Sequence, residues 1–554
     1  MFCYQCQETA KNQGCTVAGV CGKSGTVADL LDVLTDVTKG ISFWSIKASQ
    51  LGIEDEETDN FVIEAMFTGV TNVNFDSQKI YGLIKKGLEV KTNIKNKFLA
   101  AYETKNNKKF SDAVPSSASW ESNASIKDFE KRGAEVGVLS TKNEDIRSLR
   151  ELLIYGIKGI SAYYDHAKIL NYKNQSVINF VKKGLASTID DSLSIDNYIA
   201  LVMEAGKNAV DTMALLDKAN TDSYGIPTIT EVFTGTVAGA GILVSGHDLK
   251  DFEEILKQTD GTGVNVYTHG EMLPANAYPA FKKYKHLIGN YGTSWYNQQK
   301  EFEDFNGVII MTTNCIQKPK DSYKDKIFTT GLAAWDGVAH IADRKQGGQK
   351  DFTAAIKKAK ELGSVKVIEG KKIPIGFNHN TILSLADKIV DAVKTGAIKR
   401  FFVMGGCDGR QKEREYFTDV AKQLPKDTVI LTAGCAKFRY NLLDLGDIGG
   451  IPRVIDAGQC NDSYSLAVVA LKLVEVFGAK SINDLPISFD IGWYEQKAVT
   501  VLLALLFLGV KGIRLGPTLP AFLSPNVAKV LIEAFDLKQT GTAEEDIKLM
   551  MAGK

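Results

Sequence analysis

The 554-residue sequence has no surplus of charge of either sign, since Lys plus Arg number 66 and Asp plus Glu also number 66. That balance removes the global field that draws a protein to nucleic acid or to an anionic membrane. No long basic run or RNA-binding signature is present locally. Long hydrophobic runs are missing as well. The longest, Val499 to Val510, is about a dozen residues against the roughly eighteen or more that a membrane span needs, so it is expected to form a core helix. The chain does not open with a charged stretch followed by an apolar one, and Cys3 would be lost with any cleaved leader, so export is not expected. A nicotinamide turn is also lacking: Gly235, Gly239 and Gly241 look dinucleotide-like but precede the strand they should follow. Neither NAD nor flavin is expected in this chain.

Cysteine is scarce, and its placement is the informative part. Four of the eight are Cys3, Cys6, Cys15 and Cys21, spaced C-x2-C-x8-C-x5-C within MFCYQCQETAKNQGCTVAGVCGK. Gly14, Gly19 and Gly22 let the backbone wrap tightly, so four thiolates in so short a segment suit one iron–sulfur cluster or one metal ion. Structural zinc stays open as the alternative, although zinc sites more often use two tight C-x2-4-C pairs. A thioredoxin-like pair at Cys3 and Cys6 lacks the βαβ context that motif requires.

The other four cysteines belong to a repeated pattern of apolar strand, turn, ligand and helix. Arg400 to Met404 leads to Cys407, Thr428 to Thr432 to Cys435, Arg453 to Asp456 to Cys460, and Gly307 to Met311 to Cys315. Gly241 to Ser245 leads to His247, Val264 to Tyr267 to His269 and Glu271, and Ile487 to Asp490 to Glu495 and Lys497. Open α/β sheets build their sites just past the carboxyl ends of such strands. If two sheets face each other, one imidazole, two carboxylates and four thiols meet in one pocket. Thiolates alone suit an electron-passing cubane, whereas added hard ligands suit iron with exchangeable positions. Any one of these residues alone reads more plainly as a packed cysteine or a helix cap. Seven at equivalent offsets point to convergence. His269 reads as a partner or turn residue rather than a ligand. With all eight cysteines assigned to metal, none remains for a disulfide, so a reducing compartment, the cytoplasm, is expected.

Length and 44% hydrophobic content suit about three domains. Helical periodicity runs through Val27 to Ala48, Ser77 to Tyr102, Ile146 to Leu170 and Asp196 to Leu216, predicting antiparallel bundles. The polar stretch Lys105 to Ser125 reads as a joint between two of them. The expected division is 1–224, a cysteine loop and helical bundles; 225–378, a first α/β domain; and 379–554, a second, beginning with a helix over Asn380 to Lys394. Both α/β domains are expected to be doubly wound and Rossmann-like, with the active centre between them.

Taken together, MFCYQCQETAKNQGCT, SGHDLKD, THGEMLPA, TTNCIQKP, GGCDGR, TAGCAKFRYN, GQCNDSYS and WYEQKA form a very specific set. On these motifs the chain closely resembles the hybrid cluster protein family, also called prismane proteins or hydroxylamine reductases, along its whole length. The resemblance implies a cubane 4Fe-4S cluster on Cys3, Cys6, Cys15 and Cys21, in the spacing of the strictly anaerobic class. It implies a hybrid 4Fe-2O-2S cluster on His247, Glu271, Cys315, Cys407, Cys435, Cys460 and Glu495, with Cys407 a persulfide and Lys497 at the cluster edge. The implied activity is two-electron reduction of hydroxylamine to ammonia and water, fed by an external electron-donor protein. His247, Glu271, Glu495 and Lys497 would form the reacting side, with Lys497, Glu271 or Glu495 as the acid. Two other readings stay open: nitric oxide reduction or nitrosyl transfer and sensing, and a carbon monoxide dehydrogenase-like enzyme, against which the carboxylates at Glu271 and Glu495 argue.

Overall fold

The computed structural model describes residues 1–345 and 347–554. Through Tyr224 the long elements are all helices: α1 (Gly25–Ser49), α2 (Glu56–Thr68), α3 (Ser77–Asn106), α4 (Ser116–Ser119), α5 (Ile126–Val136), α6 (Glu144–Ile169), α7 (Gln175–Ser187) and α8 (Ile195–Tyr224). Ser24, Asp55, Asp76, Asn143 and Ser194 start α1, α2, α3, α6 and α8, each accepting a first-turn backbone N–H on its side chain. Those short polar side chains satisfy donors that the helix itself leaves unpaired.

The expectation of two separate bundles joined by Lys105 to Ser125 is corrected by the packing. That segment folds back onto α1 and α3, where Trp44 Nε1 donates to Ala118 O at 2.9 Å and Lys91 Nζ to Ser117 O at 3.0 Å. Apolar side chains of α1, α2, α3, α6, α7 and α8 share one core. The Ser-rich, Pro-containing stretch marks a turn correctly, but turn chemistry carries no information about where the flanking helices dock.

Two six-stranded parallel sheets follow. The first has the order β4-β3-β2-β5-β6-β7, from β2 (Ala240–Ser245), β3 (Val264–His269), β4 (Leu287–Asn290), β5 (Val308–Met311), β6 (Ile327–Thr330) and β7 (Ala339–Ile341). An antiparallel pair, β1 (Thr230–Phe233) with β8 (Lys372–Ile375), lies beside it in the chain. The second sheet has the order β13-β10-β9-β14-β15-β16, from β9 (Arg400–Gly406), β10 (Thr428–Thr432), β13 (Val454–Asp456), β14 (Ile487–Gly492), β15 (Ile513–Gly516) and β16 (Lys538–Gln539). A small hairpin, β11 (Asp447–Ile448) with β12 (Ile451–Pro452), precedes β13. The helix expected over Asn380 to Lys394 is two, His379–Ser384 and Ala386–Lys394, broken at Leu385. In each sheet the winding reverses at one point, between β2 and β5 in the first and between β9 and β14 in the second. Ligands collect at such switch points.

The apolar run near the C-terminus forms the helix Gln496–Phe507, buried on nearly every side. It packs on α6 and α8, so its leucines join the core of the helical region. Close approach needs Gly159, where a Cβ would sit 2.1 Å from Thr500 Oγ1 and 2.7 Å from Gln496 O. Thr500 Oγ1 then reaches Gly156 O at 2.8 Å. Gly159→Val is expected to destabilise the chain by about 1–3 kcal/mol through overpacking. The measurement is the urea midpoint, which should fall with an unchanged slope; an unmoved midpoint would show that the two helices are not wedged.

Candidate metal centres

Seven strand-end turns each deliver a candidate ligand. His247 follows β2 and is fixed before the helix Leu249–Thr259 by Asp248, whose carboxylate caps that helix. Glu271 opens a 3-10 turn directly after β3, Cys435 one after β10, and Cys460 one after β13. Cys407 follows β9, and its N–H donates to Gly492 O of β14 at 2.7 Å. The crossing requires Gly406, at φ +92° and with a Cβ position 2.1 Å from Gly492 O. Glu495 caps the helix Gln496–Phe507, its Oε2 accepting from Lys497 N at 2.8 Å. His247 and Cys315 therefore come from the switch point of the first sheet, Cys407 and Glu495 from that of the second.

These turns face one another. Ligand atoms of His247, Glu271 and Cys460 lie within 4.8 Å of each other. His247 Nε2 is 3.8 Å from Glu271 Oε2, and the same oxygen accepts from Cys460 N at 2.8 Å. Cys315, Cys407 and Cys435 border the same space: burial raises each thiol, and then nearby Glu495, Glu271 or a neighbouring thiol raises it further. Cys407 is pushed up to about 12. Buried carboxyls Glu271 and Glu495 are raised in the same way, chiefly by desolvation.

Lys497 lies at the centre of the polar contacts, 1% exposed. Its Nζ donates to His247 Nε2 at 2.8 Å and to Asn314 Oδ1 at 2.9 Å, and is 3.8 Å from Glu495 Oε1. Burial works against the ammonium, but Cys460, Glu495, Cys315 and Glu271 outweigh it and hold its pKa above the usual lysine range. Burial, then Lys497, pushes the His247 imidazole well below its usual range. With Thr313 Oγ1 at 2.8 Å from Nδ1, the neutral ring carries its proton on Nδ1 and presents a lone pair at Nε2.

Several groups that sequence reasoning missed complete the pocket. Asn314 also donates to Cys315 Sγ at 3.2 Å, and Asp408 N donates to Cys435 Sγ at 3.2 Å. Gln459 ties the facing turns together by donating to His247 O at 3.2 Å and Glu271 O at 2.8 Å. Asn314 was legible in principle as the neighbour of Cys315. Tyr163 and His166, from α6, had no local signal. His269 lies outside the pocket, completely buried between Ser245 Oγ and Glu301 Oε2, each at 2.9 Å.

The donor set fits an iron–sulfur–oxygen group. Among the described residues, Glu271 Oε1, Tyr163 OH and both ring nitrogens of His166 are buried without hydrogen-bond partners, an expensive condition unless something polar answers them. Four sulfurs, one imidazole lone pair and two carboxylates supply both soft and hard ligands.

The N-terminal thiols form a second group. Cys3 and Cys15 exchange backbone hydrogen bonds at 3.0 and 2.8 Å, and Ala10 N donates to Cys15 Sγ at 3.4 Å. Burial raises the Cys6 thiol, and Cys21, Cys3, Glu8 and Cys15 raise it further. All eight cysteines are free, and among the described residues no helix is long and apolar enough to cross a membrane.

A family model described as Prismane/CO dehydrogenase family matches residues 1–548. Similar curated proteins include hydroxylamine reductases of Kosmotoga olearia, 64% identical over 554 residues, and Halothermothrix orenii, 60% identical over 554 residues, with all of both chains covered in each case. That of Nitratidesulfovibrio vulgaris is 59% identical over 556 residues, again with full coverage of both. Among solved structures, carbon monoxide dehydrogenase IV from Carboxydothermus hydrogenoformans aligns with a TM-score of 0.56 at 15% identity, covering 99% of this chain and 92% of that one. At that identity the likeness concerns the fold.

Proposed function

The chain belongs to the Prismane/CO dehydrogenase family, and from that premise we propose that it is an iron–sulfur oxidoreductase reducing hydroxylamine: NH2OH + 2e⁻ + 2H⁺ → NH3 + H2O. Full-length relatives that carry the name hydroxylamine reductase support the substrate. The observation that carries the site assignment is the closure of His247, Glu271 and Cys460 on one buried point. His247, Glu271, Cys315, Cys407, Cys435, Cys460 and Glu495 would hold the hybrid 4Fe-2O-2S cluster, with Cys407 as a persulfide, and Cys3, Cys6, Cys15 and Cys21 the 4Fe-4S cubane. When bound, the hybrid group supplies the two electrons and Lewis-acidic iron.

The chain's own part is to orient and to move protons. Thr313 beside Nδ1 favours the His247 tautomer in which Nε2 would be the ligand atom. Lys497 donates to that same nitrogen, so a His247 that held iron would have to give up this contact. The Lys497 ammonium would keep Asn314 Oδ1 as its acceptor and would have an N–H to offer the departing hydroxide. Positioned proton donation of this kind contributes about 10²–10⁴-fold to a rate. An external donor protein would supply the electrons.

Anaerobic iron and sulfide analysis with electron paramagnetic resonance, run beside steady-state turnover, tests the reading. Two distinct signals and sustained hydroxylamine reduction are expected. Stoichiometric thiol nitrosylation without turnover would favour a nitrosyl-transfer module, and nickel in the analysis a carbon monoxide dehydrogenase-like centre. Cys6→Ser separates the two centres: it should remove or convert the N-terminal cluster and slow turnover driven by a protein donor. The hybrid signal, and turnover with a chemical reductant, should persist. One zinc per chain in place of the N-terminal iron would refute the cubane.

A further inference from the structure

Three arginines surround the turn after β9. Arg410 pairs with Glu8 at 2.8 Å, and Arg439 with Asp408 at 2.6 Å. Arg414 has no carboxylate within 4.0 Å among the described residues, yet it is fully buried, at 0% exposure. Its guanidinium donates to Cys407 O at 3.1 Å, to Trp493 O at 2.6 Å and to Gln7 Oε1 at 2.7 Å, and its Nε has no partner among the described residues. Arg439 also has Glu415 Oε2 at 3.4 Å, so of the three arginines only the fully buried Arg414 is without a direct ion pair among the described residues.

A guanidinium does not shed its proton at any ordinary pH, and a buried charge persists only where opposite charge answers it. All its acceptors are neutral: two peptide carbonyls and an amide. Asp408, already paired with Arg439, and the sulfur of Cys407, whose own carbonyl the arginine holds, both feel its charge. Cys407 belongs to the ligand set assigned above. We propose that Arg414 is the fixed counter-cation of the iron–sulfur centre held at Cys407, and that its charge sets how readily that centre accepts electrons. Reduction adds negative charge at the centre, so a nearby fixed cation favours the reduced state, and its removal favours the oxidised one. Arg414 touches neither substrate nor reacting atoms; it is a positioning and electrostatic residue.

The inference rests on the reading that an iron–sulfur centre binds at Cys407, and an iron-free wild type would defeat that reading rather than this one. The test is an anaerobic redox titration, followed by electron paramagnetic resonance, of the full iron-loaded chain as wild type, Arg414→Gln and Arg414→Lys. Gln keeps polar contacts without charge, whereas Lys keeps charge without the planar fork. Expected is a shift of the hybrid centre's equilibrium toward the oxidised form by about tenfold or more in Gln, about 59 mV for a one-electron couple, with Lys staying within about threefold of wild type. Failure of Gln to take up iron while Lys loads with its potential kept also supports the charge assignment. Equal shifts in both variants would make the residue a geometric clamp. An unmoved potential in a fully loaded Gln variant, or failure of both to load, overturns the proposal as well.

Discussion

Glu495→Ala is expected to lose hydroxylamine turnover by more than about a hundredfold, the upper range seen when even a supporting residue at a metal site is removed. Much of the iron should stay, because Cys315, Cys407, Cys435 and Cys460 supply four sulfurs independent of this carboxylate. The substitution also deletes a helix cap, since Glu495 Oε2 accepts from Lys497 N, and a lost cap costs about 1 kcal/mol. Glu495→Gln separates the two roles: its amide oxygen still caps, while the anionic oxygen is gone. Both variants should lose turnover with iron content and urea midpoint recorded in parallel. Wild-type rates in Glu495→Ala would leave the carboxylate a purely structural role, and activity kept only in Gln would make it a cap.

The second large effect is expected at Lys497. Lys497→Met preserves approximate volume and both ligand sets but removes the only ammonium in contact with His247 Nε2 and Asn314 Oδ1 among the described residues. A lost general acid costs about a hundredfold or more. Lys497→Arg restores charge but hardly gives up a proton, so it should recover little of the rate. Turnover against pH for both variants, with cluster content checked, decides the role. Full activity in Met would transfer proton delivery to a carboxyl group or water, whereas recovery by Arg would make the lysine electrostatic.

How far the sequence carries depends on whether a residue's partner is local. Cys407, Cys435 and Cys460 were legible because each follows a short apolar strand and a glycine-bearing turn, and that three-part signal lies within about ten residues. The helices were legible for the same reason, in 3.6-residue periodicity. Arg414 was not. Its contacts are with Cys407, Trp493 and Gln7, the last two being 79 and 407 residues away, and nothing in KEREYF distinguishes that arginine from a solvated one. Tyr163 and His166 sit in the buried helix α6, where an aromatic ring reads as core. The docking of Lys105 to Ser125 failed similarly, because it depends on Trp44 and Lys91 rather than on the segment itself.

The shared core has a consequence for how the protein is made. Gln7 N donates to Tyr494 O at 2.9 Å, and Gln496 Nε2 to Gln5 O at 2.6 Å, so the first cysteines synthesised rest on a cradle translated nearly five hundred residues later. At about 5–20 residues per second that interval is about 25–100 s. During it the N-terminal segment lacks these two contacts, and the facing turns lack Glu495 and Lys497. If both sites hold iron as proposed, iron delivery is expected to follow completion of the chain. A ribosome stalled before residue 490 should carry a nascent polypeptide whose thiols remain open to alkylation.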